Sequence, residues 1–417
     1  MNTKIKIPKI YLLEKQTLVR NTFQWGMFIA YLGSLNPWFM WPIGGGYTLL
    51  AAMLLVASML LSRTMDTPYY TRHAFLIPLL AYITLSYYLM VVNGNKYFSY
   101  ITNIFSITIY FTLFVVDKEE LGRLSDFLAK LMGGMMLISI PFFLLHIIGF
   151  SLPSVSAQFR DGYYSFDNYF FFLVDDRFLS SIIPRFQAVF LEPGHLGTAT
   201  SFLLFMQCGK WKRWYNILLL VATLISFSLS AYALLSISVL LHFWIMRKHF
   251  IGKLLMFIIF SACIVTASFF YNDGENMLHD LIVLRMEMDD DGELAGNNRV
   301  TDEFQAEYES YMQSSDIILG RNMDPDSFGN SGYKVFIYSN GLLGFFLLCF
   351  FYTLSMYGSP DSRVFISVMI IAGMAFWARG YLLWFSYFIP FYCMAMSSPY
   401  ISSEEDVTDR KEILPEC

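Results

Sequence analysis

The chain turns on Pro184-Arg185-Phe186-Gln187-Ala188-Val189-Phe190-Leu191-Glu192-Pro193-Gly194-His195-Leu196-Gly197. An arginine, a glutamate and a histidine stand here in a run that otherwise reads as lipid-buried helix. On an ideal helix advancing about 100° per residue, Glu192 lies about 20° and His195 about 80° from Arg185, so one face can carry all three. Pro193 removes a backbone donor and Gly194 loosens the chain, so the run reads as a broken helix rather than a straight one. Ionisable groups at membrane depth are costly and mark a polar cavity or a pathway. The plainer reading is a kinked helix with an internally satisfied ion pair, but three such groups beside a break exceed what packing requires.

The rest of the chain sets the class. Its 417 residues are 56% hydrophobic, 18% aromatic and only 15% charged, with mean hydropathy +0.49, a balance that soluble domains rarely show. Apolar blocks fall at about 22–41, 47–62, 74–92, 98–116, 131–150, 186–207, 214–229, 231–246, 253–270, 334–356, 363–379 and 381–397. Their lengths suit a hydrocarbon core of about 30 Å. The expectation is an all-α polytopic membrane protein of about 12 transmembrane helices, with 22–397 as one transmembrane domain. The least certain division is 214–246, where Ser226-Phe227-Ser228-Leu229-Ser230-Ala231-Tyr232 is either a tight turn or a polar patch in one long helix; two short spans fit the length better. The cysteines (Cys208, Cys263, Cys349, Cys393, Cys417) are scattered with no CxxC pair, which argues against a disulfide framework or a zinc site. No small-residue cleavage pattern follows the first apolar block, which therefore reads as a retained span.

Charge gives the orientation. With both termini cytoplasmic (a basic N-terminus, 1–21, and a polar tail, 398–417), the inner segments hold nineteen of the 28 Lys and Arg, clustered in short loops. Two outer loops are long, 151–185 and 271–333. The second holds fifteen Asp and Glu against three Arg, a local balance of −12 within an overall −5, so the remainder of the chain is +7. The acidity is local, and the net charge says nothing of nucleic acid, which is not expected as a partner. Within this loop Thr301 to Ser314 reads as a helix N-capped by Thr301, with Asp302 and Glu303 in its first turn. The acidic run Glu287 to Glu293 approaches a calcium loop but places Asn298 where a bidentate glutamate is needed, so it reads as solvated acidic loop. The aromatics over 163–172 suit either sugar stacking or an interfacial belt.

Arg160, Arg177, Arg185, Arg285, Arg299, Arg321 and Arg379 fall on or near the outer side, against the positive-inside trend. Arginine grips phosphate bidentately and stays charged, so such a set suits an anionic ligand such as a lipid diphosphate. Pairing with the acidic loop is the competing reading. A half-helix starting at Pro193 would add its N-terminal N–H groups beside Arg185. Glu192, or failing that His195, would then act as general base on a sugar hydroxyl, provided burial raises the carboxyl toward neutrality. A diphosphate paired with arginine leaves readily, so the chemistry needs neither metal nor cofactor.

These features resemble the bacterial O-antigen polymerase (Wzy-type) and O-antigen ligase superfamily of multispanning enzymes with large periplasmic loops. The resemblance covers roughly 180–345. It rests on Arg185 ahead of Glu192-Pro193-Gly194-His195, and on the Ser228/Ser230 turn, which lacks the family's usual neighbouring arginine. It also rests on Arg299 opening a helix that ends in Gly320-Arg321-Asn322, and on Arg321 followed after ten residues by Gly332. Ligases of this type carry His-Ser or His-Asn, then nine residues, then G-x-x-G. Here Gly341-Leu342-Leu343-Gly344 fits the end, but Asn330-Ser331 stands where the histidine belongs, which favours a polymerase.

The resemblance implies a GT-C-like glycosyltransferase fold in the cytoplasmic (inner) membrane. It implies transfer of a growing glycan from undecaprenyl diphosphate onto a lipid-linked repeat unit, in O-antigen, capsule or exopolysaccharide synthesis. Arg185, Arg299 and Arg321 would bind the diphosphate and stabilise its departure. Glu192, His195 and Arg185 would be catalytic, with Asn322, Ser228, Ser230, Tyr232 and Arg379 in secondary positions. Expected partners are the undecaprenyl-diphosphate-linked oligosaccharide and membrane lipid, with a chain-length regulator and a flippase as candidates. The competing readings are a ligase-like glycan transferase with another acceptor, and a transporter or flippase of lipid-linked oligosaccharide.

Overall fold

A computed structural model describes residues 9–65, 69–70, 75–94, 97–159, 164–176, 184–207, 209–246, 250–271, 279, 301–321 and 332–397. Helices occupy every apolar block: α1 (Lys9–Gly33), α2 (Tyr47–Thr64), α3 (Leu76–Val92), α4 (Tyr97–Val115), α5 (Lys118–Ile147), α6 (Pro193–Met206), α7 (Trp214–Ile225), α8 (Leu229–Met246), α9 (Phe250–Phe270), α11 (Tyr333–Met356), α12 (Ser362–Ala378) and α13 (Phe385–Ser397). The polar helix α10 (Asp302–Met312) lies between α9 and α11. Five stretches are long and apolar enough to cross a membrane: Trp38–Thr64, Lys118–Ile147, Leu229–Met246, Phe250–Phe270 and Tyr333–Met356. The architecture is that of a mostly helical protein compatible with several passes through a bilayer.

Not every apolar block faces outward. All of α6 and nearly all of α13 are buried within protein, the signature of a helix that is apolar on every side because other helices surround it. Helix α6 has 14 residues, about 21 Å at 1.5 Å per residue, short of the roughly 30 Å of a hydrocarbon core. It packs on α7, α8 and α13. A Cβ on Gly197 would lie 2.6 Å from the Ala231 Cβ, so that glycine is what lets α6 and α8 approach. The division at 214–246 is a turn: α7 ends at Ile225, and Phe227, with φ 46°, reverses the chain into α8.

Helix α1 begins at Lys9, well ahead of the apolar block, because Val19 and Phe23 are fully buried and Arg20 clasps α5. Arg20 donates to both oxygens of the buried Glu120 carboxylate, at 2.8 and 2.9 Å, and Arg123 pairs with Glu120 from the other side.

The all-helical expectation is modified in the loop after α5. Three short antiparallel strands form there, β1 (Val155–Phe159), β2 (Tyr164–Asn168) and β3 (Leu173–Asp175), in the order β1-β2-β3. An alternation five residues long is too brief to distinguish from an aromatic-rich loop. Phe166 and Leu173 from the sheet, with Leu191, pack against Trp38, Trp41, Phe159 and Tyr164. This cluster docks the sheet on residues 184–192, which are not helical. Their backbone groups are satisfied from three directions. Phe186 N–H donates to the Ile225 carbonyl at 3.2 Å, Leu173 N–H to Ala188 at 2.8 Å, and Trp38 N–H to Val189 at 3.0 Å. Irregular backbone inside an apolar protein requires this kind of cover.

Helix α11 is interrupted at Gly341 (φ 67°, ψ 177°). The strap 316–321 fills the break, with Leu343 N–H donating to Ile318 at 3.1 Å and Arg321 N–H to Tyr338 at 2.7 Å. Tyr88 of α3 donates to the carbonyls of both Leu319 and Asn340. Helix α10 has the expected cap, Thr301 Oγ1 accepting from Phe304 N–H at 3.3 Å. Its Phe304, Tyr308 and Tyr311 form a small core with Tyr338 of α11. The acidic run 287–293, Asn298, Arg160, Arg177, Arg285, Arg299, Asn322, Asn330 and Ser331 lie outside the described residues.

Candidate functional site

Pro193 starts α6 because a first-turn proline loses no hydrogen bond that the helix would have used. Glu192 therefore takes the N-cap position with extended backbone (φ −140°, ψ 146°), yet its side chain does not cap the helix. The carboxylate points elsewhere. It lies 2.9 Å from Arg379 Nη2, accepts the Tyr164 hydroxyl at 2.9 Å, and sits 3.8 Å from His195 Nε2. The helix break thus supplies one residue, α6 a second, the sheet a third, and the α12–α13 junction a fourth.

Arg379 reaches the site because α12 ends there: its backbone is extended (φ −153°, ψ 125°) and its N–H still closes on Ala375 at 2.8 Å. Its side chain is 7% exposed against 28% for Glu192, so solvent reaches the pair from the carboxylate side. Gly194 makes the approach possible. A Cβ there would overlap Arg379 Nη2 and stand 2.9 Å from its Cζ. Among the described residues, Arg379 Nε is buried with no protein acceptor. Just beyond, Tyr381 and Trp384 stack with centroids 4.2 Å apart and planes 2° from parallel. The His195 ring meets Trp384 edge-on at 5.1 Å.

The structure brings Glu192, His195 and Arg379 together and sets Arg185 apart. Arg185 lies in the non-helical chain ahead of α6, so it does not share a helical face with the other two. Its Nε donates to the Ser226 carbonyl at 3.3 Å, and its charge acts on Tyr232. The Ser228 and Ser230 hydroxyls, 3.1 Å apart, bond to each other in the same turn. Two residues here hold left-handed backbone without being glycine, Ala188 (φ 48°) and Phe227 (φ 46°). Such strain costs about 1–3 kcal/mol each and persists where the surroundings over-determine it.

Arg321 faces carboxylates. Nη1 lies 2.7 Å from Glu307 and Nε 2.9 Å from Asp316, with Cζ 5.6 Å over the Tyr311 ring. Burial, then the neighbouring Tyr308 and Tyr88, push the Tyr311 phenol up to about 12. It stays protonated and donates to Ile337 at 2.8 Å. Arg321 therefore ties the strap to α10, the acidic-loop pairing set against the diphosphate reading. Arg299 and Asn322 lie outside the described residues.

Three residues that touch this constellation carry no motif in the sequence. Tyr164 was one aromatic among many in its loop. Tyr381 and Trp384 read as the start of an apolar block, though Arg379-Gly380 interrupting that block was a signal that the chain turns there. Compared with protein-family models, curated proteins and solved structures, the chain matches none.

Chemically, the group is a carboxylate whose ionised form is favoured by a guanidinium and a phenol. The expectation that burial alone would make Glu192 a strong base therefore meets an opposing partner. An anion that drew Arg379 away would return basicity to Glu192. His195 Nε2 stands 3.8 Å from the same carboxylate.

Proposed function

We propose that the chain is a membrane-embedded polysaccharide polymerase that transfers a growing glycan from undecaprenyl diphosphate onto a lipid-linked repeat unit, in a GT-C-like fold at the outer face of a bacterial cytoplasmic membrane. The observation that carries this reading is the buried Arg379 paired to the part-exposed Glu192 at the N-terminus of α6. An arginine with an unused buried donor beside helix N–H groups suits a diphosphate. A carboxylate 2.9 Å away suits the incoming hydroxyl. In the reaction the bond from the sugar C1 to the diphosphate oxygen breaks as C1 bonds to the acceptor oxygen. The acceptor proton passes to Glu192 or His195, and the diphosphate keeps the bonding electrons, stabilised by Arg379.

Chemistry is favoured over transport by where the buried charges lie. Glu192 and Arg379 mark one end of α6. At the other end Gln207 donates to Ser125 at 2.9 Å, about 1.4 turns along α5 from Glu120. The two charged sets are separated by roughly the length of α6, about 21 Å, so the inner set lies too far from Glu192 and Arg379 to share one bound diphosphate.

The test uses the full-length protein in lipid nanodiscs with lipid-linked repeat units. A ladder of longer oligomers is expected. No ladder from the wild type would overturn the polymerase reading. A ladder unchanged in Glu192→Gln and Arg379→Ala would overturn the site.

A further inference from the structure

We propose that Tyr381 and Trp384 form a sugar-binding platform, on which a pyranose ring of the glycan rests with its hydroxyls toward Glu192. This rests on the glycan-transfer reading of the same site and adds what that reading lacks, a surface that recognises sugar rather than phosphate.

Three observations converge. Tyr381 and Trp384 stack face to face with parallel planes, and both keep part of their surface exposed. A partly exposed aromatic pair in an otherwise packed junction is suited to a ligand with an apolar face. The loop that carries them is built tightly: Tyr381 N–H donates to Arg379 at 2.8 Å and Trp384 N–H to Tyr381 at 2.9 Å. At Gly380 a Cβ would stand 3.0 Å from the Gly332 carbonyl, so the loop is held against the start of α11. The rings are therefore fixed in place before any ligand arrives, which lowers the entropic cost of binding. Finally, the stack is contiguous with the polar group. Arg379 precedes Tyr381 by two residues and touches Glu192 at 2.9 Å, and His195 abuts Trp384 at 5.1 Å.

A pyranose presents a face of C–H groups and an equator of hydroxyls. Aromatic rings receive the first and a carboxylate the second, and here they are neighbours. Phosphate needs no such wall. The platform therefore distinguishes a sugar-bearing lipid from the bare lipid diphosphate, whereas Arg379 and the α6 N-terminus engage both.

The experiment measures binding of two probes to the full-length protein in nanodiscs. One is undecaprenyl diphosphate; the other is the lipid-linked repeat unit extracted from host cells. Wild type should bind the sugar-bearing lipid at least tenfold more tightly. Trp384→Leu and Tyr381→Leu should remove most of that difference while binding of the bare lipid stays within about twofold, and Trp384→Phe should retain most of it. The bare-lipid affinity also reports that each variant is folded. A difference unchanged in Trp384→Leu overturns the platform, as does equal weakening toward both lipids, which would make the rings an anchor in the bilayer interface. If wild type binds neither lipid, the glycan-transfer reading fails and takes the platform with it. Binding of both without preference refutes the platform alone.

Discussion

Replacing Gly194 by alanine adds one methyl group where the Arg379 guanidinium now lies. The methyl would overlap the end of a flexible side chain rather than backbone, so the guanidinium yields, and what is lost is its pairing with Glu192. Removing one partner of a buried pair costs about 3–5 kcal/mol. The lower figure applies here, because Glu192 keeps 28% exposure and the Tyr164 hydroxyl. Against this, alanine gains up to about 1 kcal/mol over glycine in a helix. The net expectation is destabilisation by about 2 kcal/mol, roughly a 30-fold change in the folding equilibrium. The sign should reverse in an Arg379→Ala background, where the methyl has room and only the helix gain remains. The coupling between the two positions is then about 3 kcal/mol, at the top of the range for residues in contact. Unfolding of the four proteins of this cycle in one detergent, followed by tryptophan fluorescence, measures it. Equal effects of Gly194→Ala in the two backgrounds, within about 0.5 kcal/mol, would refute the idea that this glycine exists to admit the arginine.

The same measurements reach other parts of the fold. Tyr164→Phe removes a neutral donor to a charged acceptor and should cost about 1.5 kcal/mol; an unchanged midpoint would detach the sheet from the site. Glu120→Ala leaves Arg20 and Arg123 facing each other across the α1–α5 contact and should cost about 3 kcal/mol, with a shift of the unfolding midpoint as the readout. Gly341→Ala forces a side chain into left-handed backbone at φ 67°, with its Cβ 2.6 Å from the Gly320 nitrogen. The strap 316–321 should detach, seen as faster amide exchange or proteolysis there while the rest of the bundle stays protected. Uniform protection would refute the docking.

How much of this was legible in the sequence depended on the range of the interaction concerned. Local signals carried through: the helices fall where the apolar blocks lie, Thr301 caps α10 as its position suggests, and the chain breaks at Pro193. Short elements and long-range partners did not. Strands β1 to β3 are five residues or fewer, and their pairing is fixed by burial against Trp41 and Leu191, which no local pattern announces. Helix α6 looked like a span because it is apolar on every side, but a helix surrounded by protein has the same composition as one surrounded by lipid.

Arg379 is the sharpest case. From the sequence it was one arginine among seven on one side of the protein, and Arg185 and Arg321 stood ahead of it because they flank recognisable motifs. Their environments in the structure differ. Arg321 has two carboxylates within 3 Å and anchors a strap; Arg185 reaches a backbone carbonyl. Arg379 alone among these three combines near-complete burial, a single carboxylate partner and a buried Nε that protein does not satisfy. A buried guanidinium with unspent donors is expensive unless something completes it. Evolution had a cheaper solution in any apolar residue at 379 with an apolar partner at 192. A buried guanidinium admitted by the bare Gly194 is the arrangement that a bound diphosphate would need. If Arg379→Met together with Glu192→Leu gave a more stable protein that still extended glycans, that inference would fail. The expected result is a protein as stable as wild type or more so, without activity.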